Sequence, residues 1–125
     1  LHRVDRRQRQ MCIRDRKSSN NDIQLVFAQN DEMGLGAAQA AEEAGLVVGE
    51  DVKIATIDGT KNAMQALADG QLSYVHEYNP LFGETALEVV EKALAGEEVE
   101  SYIVVPSEAF DSAEAAQAVL ADRKY

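Results

Sequence analysis

Polar side chains follow three apolar runs of this sequence, at the points where strands are predicted to end. The polar groups are residues 30–32 (Asn-Asp-Glu), 58–60 (Asp-Gly-Thr) and 76–79 (His-Glu-Tyr-Asn). In an open parallel sheet the carboxyl ends of the strands meet at one edge, and ligands bind in the crevice beyond that edge. We therefore expect these three groups to face one crevice.

The chemistry that such a crevice favours is hydrogen bonding to a neutral polyol. A sugar hydroxyl both donates and accepts a hydrogen bond, and one carboxylate or amide can bridge two hydroxyls. Anionic ligands fit poorly, because Lys61 is the only nearby cation and the acids would repel a phosphate from the helix N-termini. Asn30 or Asp31, Thr60 and Asn79 are also good helix N-caps, so a capping role stays open for each.

Patterns typical of catalysis or of metal binding are missing from the sequence. His76 is the only imidazole beyond His2, and such a residue beside an acid is more typical of a strand end than of a general base. The glycines at 34 and 36 follow a strand, but acids stand where a dinucleotide-binding loop holds the pyrophosphate. We expect these glycines to let a helix lie close to the sheet. We predict no catalytic residue, no metal site, no cofactor and no enzyme activity.

Charge divides the sequence into two unlike parts. Residues 1–17 hold seven of the 12 Lys and Arg residues but two of the 22 acids, which leaves 5 basic against 20 acidic residues for the rest. A body this acidic repels phosphate backbones, so we expect no nucleic-acid partner. The only cysteine is Cys12, so no intrachain disulfide can form.

Residues 1–20 lack the apolar periodicity of a folded element. The string at residues 11–16 (MCIRDR) resembles translated sequencing adaptor, and we interpret residues 1–20 as an unstructured, non-native segment. A basic tail that binds nucleic acid is the alternative. On the first interpretation the chain begins within a longer protein.

The rest of the sequence alternates apolar runs with helical stretches, which predicts an α/β fold of βαβ units with a parallel sheet. The continuous apolar run at residues 25–28 predicts a strand that is buried on both faces. Further strands are predicted at residues 52–57, 72–75 and 102–105.

Four helices are predicted between and after these strands. The first has an apolar stripe of Met33, Ala37, Ala40, Ala41 and Ala44 and ends at Gly45, and the second has a core face of Ala63, Met64, Leu67 and Ala68 and ends at Gly70. The third is predicted to begin at Asn79 and Pro80, as N-cap and first helical residue. The last is predicted to begin at Asp111, with Glu114 completing a capping box.

The residues of the three polar groups also carry a family resemblance. Residues 27–37 (FAQNDEMGLGA) resemble the motif of ribose-type periplasmic binding proteins, and residues 57–60 (IDGT) resemble the end of their next strand. Residues 77–83 (EYNPLFG) and the terminal RKY are closest to the galactofuranose-binding branch of that family. The resemblance covers residues 22–125.

The resemblance implies the C-terminal part of a type 1 periplasmic binding protein, whose two lobes close on a sugar. Asn30 and Asp58 would contact sugar hydroxyls, and Glu77, Tyr78 or Asn79 would fill a third position, of which we favour Glu77 and Asn79. Tyr78 and Pro80 would lie in a hinge. Residues 21–77 would belong to the C-terminal lobe, residues 78–106 to the hinge crossing and the other lobe, and residues 107–125 to a last crossing and helix.

The function that the resemblance implies is that of the substrate-binding component of an ABC importer. Such a protein carries a monosaccharide, here galactofuranose, ribose or a similar sugar, to a membrane permease, and is a monomer when complete. It would be periplasmic, or lipid-anchored outside a Gram-positive cell, and its first half and signal peptide would lie upstream. The effector-binding half of a LacI-type repressor is the first alternative, and an α/β enzyme is the second.

Overall fold

The computed structural model describes residue 15 and residues 22–125. Apart from Asp15, the segment predicted to be non-native (residues 1–20) therefore lies outside the described residues. The elements are β1 (Leu25–Phe27), α1 (Asp31–Glu43), β2 (Lys53–Asp58), α2 (Lys61–Ala68), β3 (Tyr74–Glu77), α3 (Gly83–Leu94), β4 (Ala109–Phe110) and α4 (Ala113–Leu120). Within the described part, no helix is both long and apolar enough to cross a membrane.

The four strands form one sheet in the order β1-β2-β3-β4. The first three strands pair in parallel through two βαβ connections, whereas β4 pairs antiparallel with β3. This arrangement confirms the predicted α/β class and the parallel sheet. The strand β4 was not predicted, because two residues are too few to produce a periodic pattern.

Helix α1 lies close to β2, as its glycines predict. The side chain of Asn30 caps the helix by accepting from the Met33 N–H, and four alanines on one face are buried: Ala37, Ala38, Ala40 and Ala41. A Cβ added to Gly34 would lie 2.9 Å from the Thr56 Cβ. Only glycine fits at position 34 without a shift, which confirms the predicted reason for that residue.

The core lies where α2 and α4 pack together beside the sheet. Ile54 from β2, Met64 from α2 and Val75 from β3 are fully buried there. Phe110 from β4 and Ala116 from α4 join the same apolar cluster. Burial of apolar side chains at about 25 cal/mol per Å² is what holds such a cluster together, so these elements form the stable framework beneath the polar edge of the sheet.

Two strand predictions are wrong. The run at residues 25–28 is not buried on both faces, because Leu25 and Phe27 are 61% and 62% exposed. Residues 102–105 form no strand, and Tyr102 and Val104 are exposed. The physical reason is the same in both places: within residues 22–125 no element covers that face of β1 and no strand pairs with residues 102–105.

Three predicted boundaries also differ from the structure. Strand β3 spans Tyr74–Glu77, two residues later than predicted. Helix α3 begins at Gly83 and not at Pro80, because the Asn79 Oδ1 accepts from the Leu81 N–H and closes a local turn. The cap of α4 is Ser112 and not Asp111, since the Ser112 hydroxyl accepts from the Ala115 N–H.

Helix α3 differs from the other helices because none of its residues is buried. Its sequence is amphipathic, and the apolar side chains of Leu87, Val90 and Leu94 are 58%, 52% and 83% exposed. An amphipathic helix ordinarily buries its apolar face against another element. The described residues leave the apolar face of α3 uncovered.

Candidate functional site

The ends of β2 and β3 place two acids side by side. Asp58 pairs with Glu77 in the parallel register of the two strands. The main chain continues this contact, since the Tyr78 N–H donates to the Asp58 carbonyl at 2.9 Å. Paired residues of neighbouring strands project to the same face. The structure thus brings together two of the predicted sugar-contacting residues.

The N-terminus of α1 lies next to Asp58. Partial burial raises the pKa of the Asp58 carboxyl above its ordinary value of 3.8, a backbone hydrogen bond from Asp31 lowers it, and the Asp31 charge raises it again. Asn30 precedes Asp31 and is exposed, and its Oδ1 is used in capping α1. Its side-chain NH₂ group is therefore the part of Asn30 that can donate to a ligand.

The backbone of Asp58 is strained. Its φ of 128° makes it the one non-glycine residue with positive φ among those that the structure describes. Gly59 follows with a φ of 79°. Backbone strain of this kind costs on the order of 1–3 kcal/mol and is concentrated at functional sites. The strain at Asp58 therefore indicates that its side chain has a functional role.

Asp31 has a structural role at this edge. It is 1% exposed, and its carboxylate accepts from the Thr56 hydroxyl at 3.0 Å. It also accepts from the Thr60 N–H at 2.6 Å and the Thr60 hydroxyl at 2.7 Å. These bonds join the start of α1 to β2 and to the Thr60 cap of α2. Asp31 thereby fixes the positions of Asn30 and Asp58, its neighbours at the edge.

Sequence reasoning missed the two residues that bind Glu77. The Arg123 Nη1 donates to the Glu77 Oε1 at 2.6 Å, and the Tyr125 hydroxyl donates to the same oxygen at 2.5 Å. Arg123 and Glu77 are both more than nine-tenths buried. The Arg123 Nε also donates to the Gly59 carbonyl at 2.6 Å. The terminal RKY was noted as a resemblance, but no local pattern connects it with Glu77.

The environment of Tyr125 disfavours loss of its hydroxyl proton. Partial burial and the hydrogen bond to Glu77 raise the pKa of Tyr125 to about 12, although the Arg123 charge acts in the opposite direction. The Arg123 guanidinium lies 4.7 Å from the centre of the Tyr125 ring and 5.5 Å from that of Phe110. At neutral pH the Tyr125 hydroxyl is therefore a donor to Glu77.

A cavity of about 190 Å³ opens beside these contacts. Its lining includes Glu77, Asn79 and Leu81 after β3, and Arg123 and Tyr125 from the end of the chain. Pockets for small molecules usually measure about 300–1,000 Å³, so this cavity has the size of part of such a site. The predicted residues are thus divided: Glu77 and Asn79 line the cavity, whereas Asn30 and Asp58 lie outside its lining.

The other predicted residues lie around this edge. Tyr78 is 70% exposed and Pro80 is exposed, in the irregular segment between β3 and α3. The Tyr74 hydroxyl lies 3.3 Å from the His76 Nδ1 on the exposed surface. No group of three or more His, Cys, Asp or Glu side chains within the described ranges is arranged to hold a metal ion.

Comparison with known families gives one match that covers most of the sequence. The sequence model of a family described as a periplasmic binding protein domain matches residues 5–98. The matched range includes β1 to α3, and with them all of the predicted sugar-contacting residues. It begins inside the segment that was predicted to be non-native.

Individual relatives extend the comparison. A fructose import binding protein of Bifidobacterium longum is 56% identical over 103 residues, which are 82% of this chain and 31% of that protein. A Mycobacterium smegmatis protein solved with β-D-fucofuranose is 46% identical, with a TM-score of 0.82 over 94% of this chain and 38% of the other. A solved galactofuranose-binding protein is 29% identical, with a TM-score of 0.84 over 94% of this chain and 40% of that one. The chain spans about a third of the length of these proteins.

Proposed function

Because this chain belongs to the periplasmic binding protein family, we propose that it supplies part of the sugar site of an ABC importer's solute-binding protein. The observation that carries the proposal is the pairing of Asp58 with Glu77 at the carboxyl edge of a parallel sheet, next to the start of the helix that Asn30 caps. This edge is where ligands of open α/β sheets bind. Strain at Asp58 and the arginine beside Glu77 support a binding role for both acids.

Each side chain has a distinct task in this proposal. The Asn30 NH₂ group donates to a sugar oxygen, and the Asp58 carboxylate accepts from one or two hydroxyls. Glu77 and Asn79 contact the sugar from the cavity after β3. Hydrogen bonds to ionised acceptors are roughly twice as strong as neutral ones, so two carboxylates suit a neutral ligand that is rich in hydroxyl donors.

The ligand that we propose is a monosaccharide in its furanose form. The relatives are named for fructose and galactofuranose, and one was solved with β-D-fucofuranose. These sugars share several vicinal hydroxyls around a compact ring, which carboxylates and amides can bridge in pairs. Galactofuranose, ribose and fructose are therefore the sugars to test first.

In this proposal a second lobe would cover the exposed apolar surface of the chain. We assign residues 21–77 to one lobe, a hinge to Tyr78 and Pro80, and the segment up to residue 106 largely to the other lobe. The apolar face of α3 and the exposed side chains at residues 102–104 support this division. Both would be covered by a lobe with its own sheet, and residues 107–125 then return to the first lobe through β4 and α4.

The proposed protein works outside the cytoplasmic membrane as a monomer that docks transiently on a permease. It would be periplasmic, or lipid-anchored in a Gram-positive cell. It would act by binding alone, without catalysis or a cofactor. The names of the relatives are those of import and sugar-binding proteins, which favours transport over the effector half of a LacI-type repressor.

A titration of the isotope-labelled 125-residue chain tests the proposal. Methyl β-D-galactofuranoside, D-ribose and D-fructose are added, and amide resonances of Asn30, Asp58 and Glu77 are followed by NMR. At least one sugar should shift these resonances, and Asp58→Asn should weaken binding by about tenfold or more, which corresponds to 1.4 kcal/mol. Asp111→Asn is the matched control, because Asp111 is exposed and lies away from the edge.

A chimera provides the same test with a complete cleft. In the chimera the 103 aligned residues of this chain replace the matching region of the Bifidobacterium longum relative. The chimera should bind one of the three sugars, and Asp58→Asn should weaken that binding while Asp111→Asn should not. A folded chimera whose sugar affinity is unchanged by Asp58→Asn would contradict the proposal.

A further inference from the structure

The last three residues, 123–125, form what we call the C-terminal tail, and two of them hold the carboxylate of Glu77. The Arg123 Nη1 and the Tyr125 hydroxyl both donate to Oε1. We propose that Arg123 and Tyr125 are positioning residues, which orient Glu77 so that its other oxygen, Oε2, accepts a hydrogen bond from a ligand hydroxyl. This inference rests on the proposed function.

The C-terminal tail is anchored on β2 as well as on β3. The Arg123 Nε donates to the Gly59 carbonyl at 2.6 Å, and the Lys61 N–H donates to the main-chain oxygen of Tyr125 at 2.6 Å. The tail therefore connects the turn after β2 with the end of β3, where the acids Asp58 and Glu77 are paired. A carboxylate that receives two charge-assisted or polar donors from an anchored segment has little freedom to rotate.

Accessible surface remains at one oxygen of Glu77. Both donors bind Oε1, and Oε2 has no hydrogen-bond partner among residues 22–125. The only fully buried side-chain nitrogen or oxygen without a partner in this part of the chain is the Arg123 Nη2. The Oε2 atom is therefore not fully buried, and Glu77 lines the cavity. Oε2 is thus the Glu77 oxygen that is free to accept from a ligand, while Oε1 stays occupied.

Stability alone is a poor explanation of this cluster. A buried ion pair contributes little net stability, because desolvation of the two charges offsets most of their attraction. The Arg123 Nη2 also stays without an acceptor, although buried donors are ordinarily paired. A Cβ at Gly59 would lie in contact with this atom, so the turn after β2 is shaped around the guanidinium. Placement of Glu77 explains these features together.

The arrangement makes Glu77 selective for hydroxyl donors. With Oε1 occupied, Glu77 offers a ligand one acceptor and no donor, so it recognises a hydroxyl but not an ether or a deoxy position. A site that is built to bind a hydroxyl strongly disfavours the analogue that lacks it. The C-terminal tail would therefore influence which sugars bind, although its own donors are already used on Glu77.

A double-mutant cycle on the 125-residue chain tests the inference. Tyr125→Phe removes the donor and keeps the ring, Glu77→Gln removes the charge, and both are combined. Methyl β-D-galactofuranoside and D-ribose are the probes, with affinities taken from NMR titrations. Each single change is expected to weaken binding of the recognised sugar about tenfold, and the double variant no further, because interacting residues are non-additive. Tyr102→Phe, at an 80% exposed tyrosine, is the matched control and should change nothing.

A second readout, the selectivity between sugars, distinguishes residues that orient Glu77 from residues that only stabilise the fold. It does not require the Glu77→Gln variant to fold. In the unaltered chain, methyl 2-deoxy- or 5-deoxy-β-D-ribofuranoside should bind more weakly than methyl β-D-ribofuranoside, all three being fixed in the furanose form, and Tyr125→Phe should reduce that difference. Arg123→Lys keeps the charge and should retain more selectivity than Arg123→Ala.

The outcomes distinguish the inference from the function on which it rests. Additive effects in the cycle, or unchanged sugar selectivity in Tyr125→Phe, would overturn the inference and leave the proposed function intact. A folded chimera, with its complete cleft, that binds none of the probes would overturn both.

Discussion

The carboxylates of Asp58 and Glu77 belong to paired residues on neighbouring parallel strands, yet their environments differ. Glu77 is held by Arg123 at 2.6 Å, whereas the pKa of Asp58 is raised because its carboxyl is partly buried. The charge that also raises the pKa of Asp58 is that of Asp31. The arginine offsets the charge of Glu77, whereas Asp58 has no ion-pair partner among residues 22–125. The edge of the sheet thus has two unlike carboxylates. Glu77 is held in place by Arg123, whereas partial burial opposes the ionisation of Asp58.

Asp58→Asn is expected to make the chain more stable at neutral pH while weakening sugar binding. The folded-state pKa of Asp58 lies above 3.8, so folding favours its neutral form. The stability from that neutral form is present below the unfolded-state pKa and is lost as the pH rises through the folded-state pKa. Urea unfolding should therefore show a difference between the variant and the unaltered chain that grows from about pH 3 to about pH 7. A difference independent of pH would contradict this.

Tyr125 is expected to lose its hydroxyl proton only in strongly alkaline solution. Its pKa is raised to about 12, so a late ultraviolet tyrosinate component should develop there and should be missing in Tyr125→Phe. The raised value means that its contribution to stability is complete below pH 10 and is lost as the pH rises through about 12. Tyr102→Phe, at an exposed tyrosine, is the control and should leave the late component in place. Loss of the late component from Tyr102→Phe would show that the wrong tyrosine was assigned.

The helices of the sequence could be predicted where local pattern and tertiary packing agree. In α1 and α2 the apolar residues recur at helical spacing, and the structure buries them against the sheet. Residues 102–105 are as apolar as a strand, but a strand also needs a partner for its backbone groups, and no local pattern reveals whether one is present. The start of α3 was missed for another reason, because the Asn79 side chain bonds to the Leu81 N–H.

The candidate site was predictable only in part. Asn30, Asp58, Glu77 and Asn79 stand in the polar groups that follow predicted strands, whose ends share one edge in this fold class, and the family resemblance is what selected them from those groups. Arg123 and Tyr125 could not be found in the same way. They meet Glu77 across 46 and 48 residues of sequence, and only the packing of α4 against α2 brings the C-terminal tail to β3.

Gly34→Ala is expected to destabilise the chain by about 1–3 kcal/mol, the usual cost of overpacking. The added methyl group would lie 2.9 Å from the Thr56 Cβ, so α1 would have to move away from β2. Gly83→Ala is the control, since nothing lies within 4 Å of its added methyl group and its φ is not positive. That change should be neutral or stabilising by up to about 1 kcal/mol. Equal destabilisation in both variants, measured by urea unfolding, would rule out the close approach as the cause.

Two leucines provide a comparison of buried and uncovered apolar surface. Leu67 of α2 is 3% exposed, whereas Leu94 of α3 is 83% exposed. Leu67→Ala should lower the free energy of unfolding of the 125-residue chain by about 2–5 kcal/mol because it leaves a cavity in the core. Leu94→Ala should change it by less than about 0.5 kcal/mol, as is usual for an exposed position.

The same pair of variants tests the proposed second lobe. In the chimera with the Bifidobacterium longum relative, α3 would gain a partner surface for its apolar face. Leu94→Ala should then cost more than in the 125-residue chain, whereas Leu67→Ala should cost about the same, because distant core sites are nearly independent. If Leu94→Ala stays without effect in a folded chimera that binds sugar, the apolar face of α3 is not covered by the other lobe.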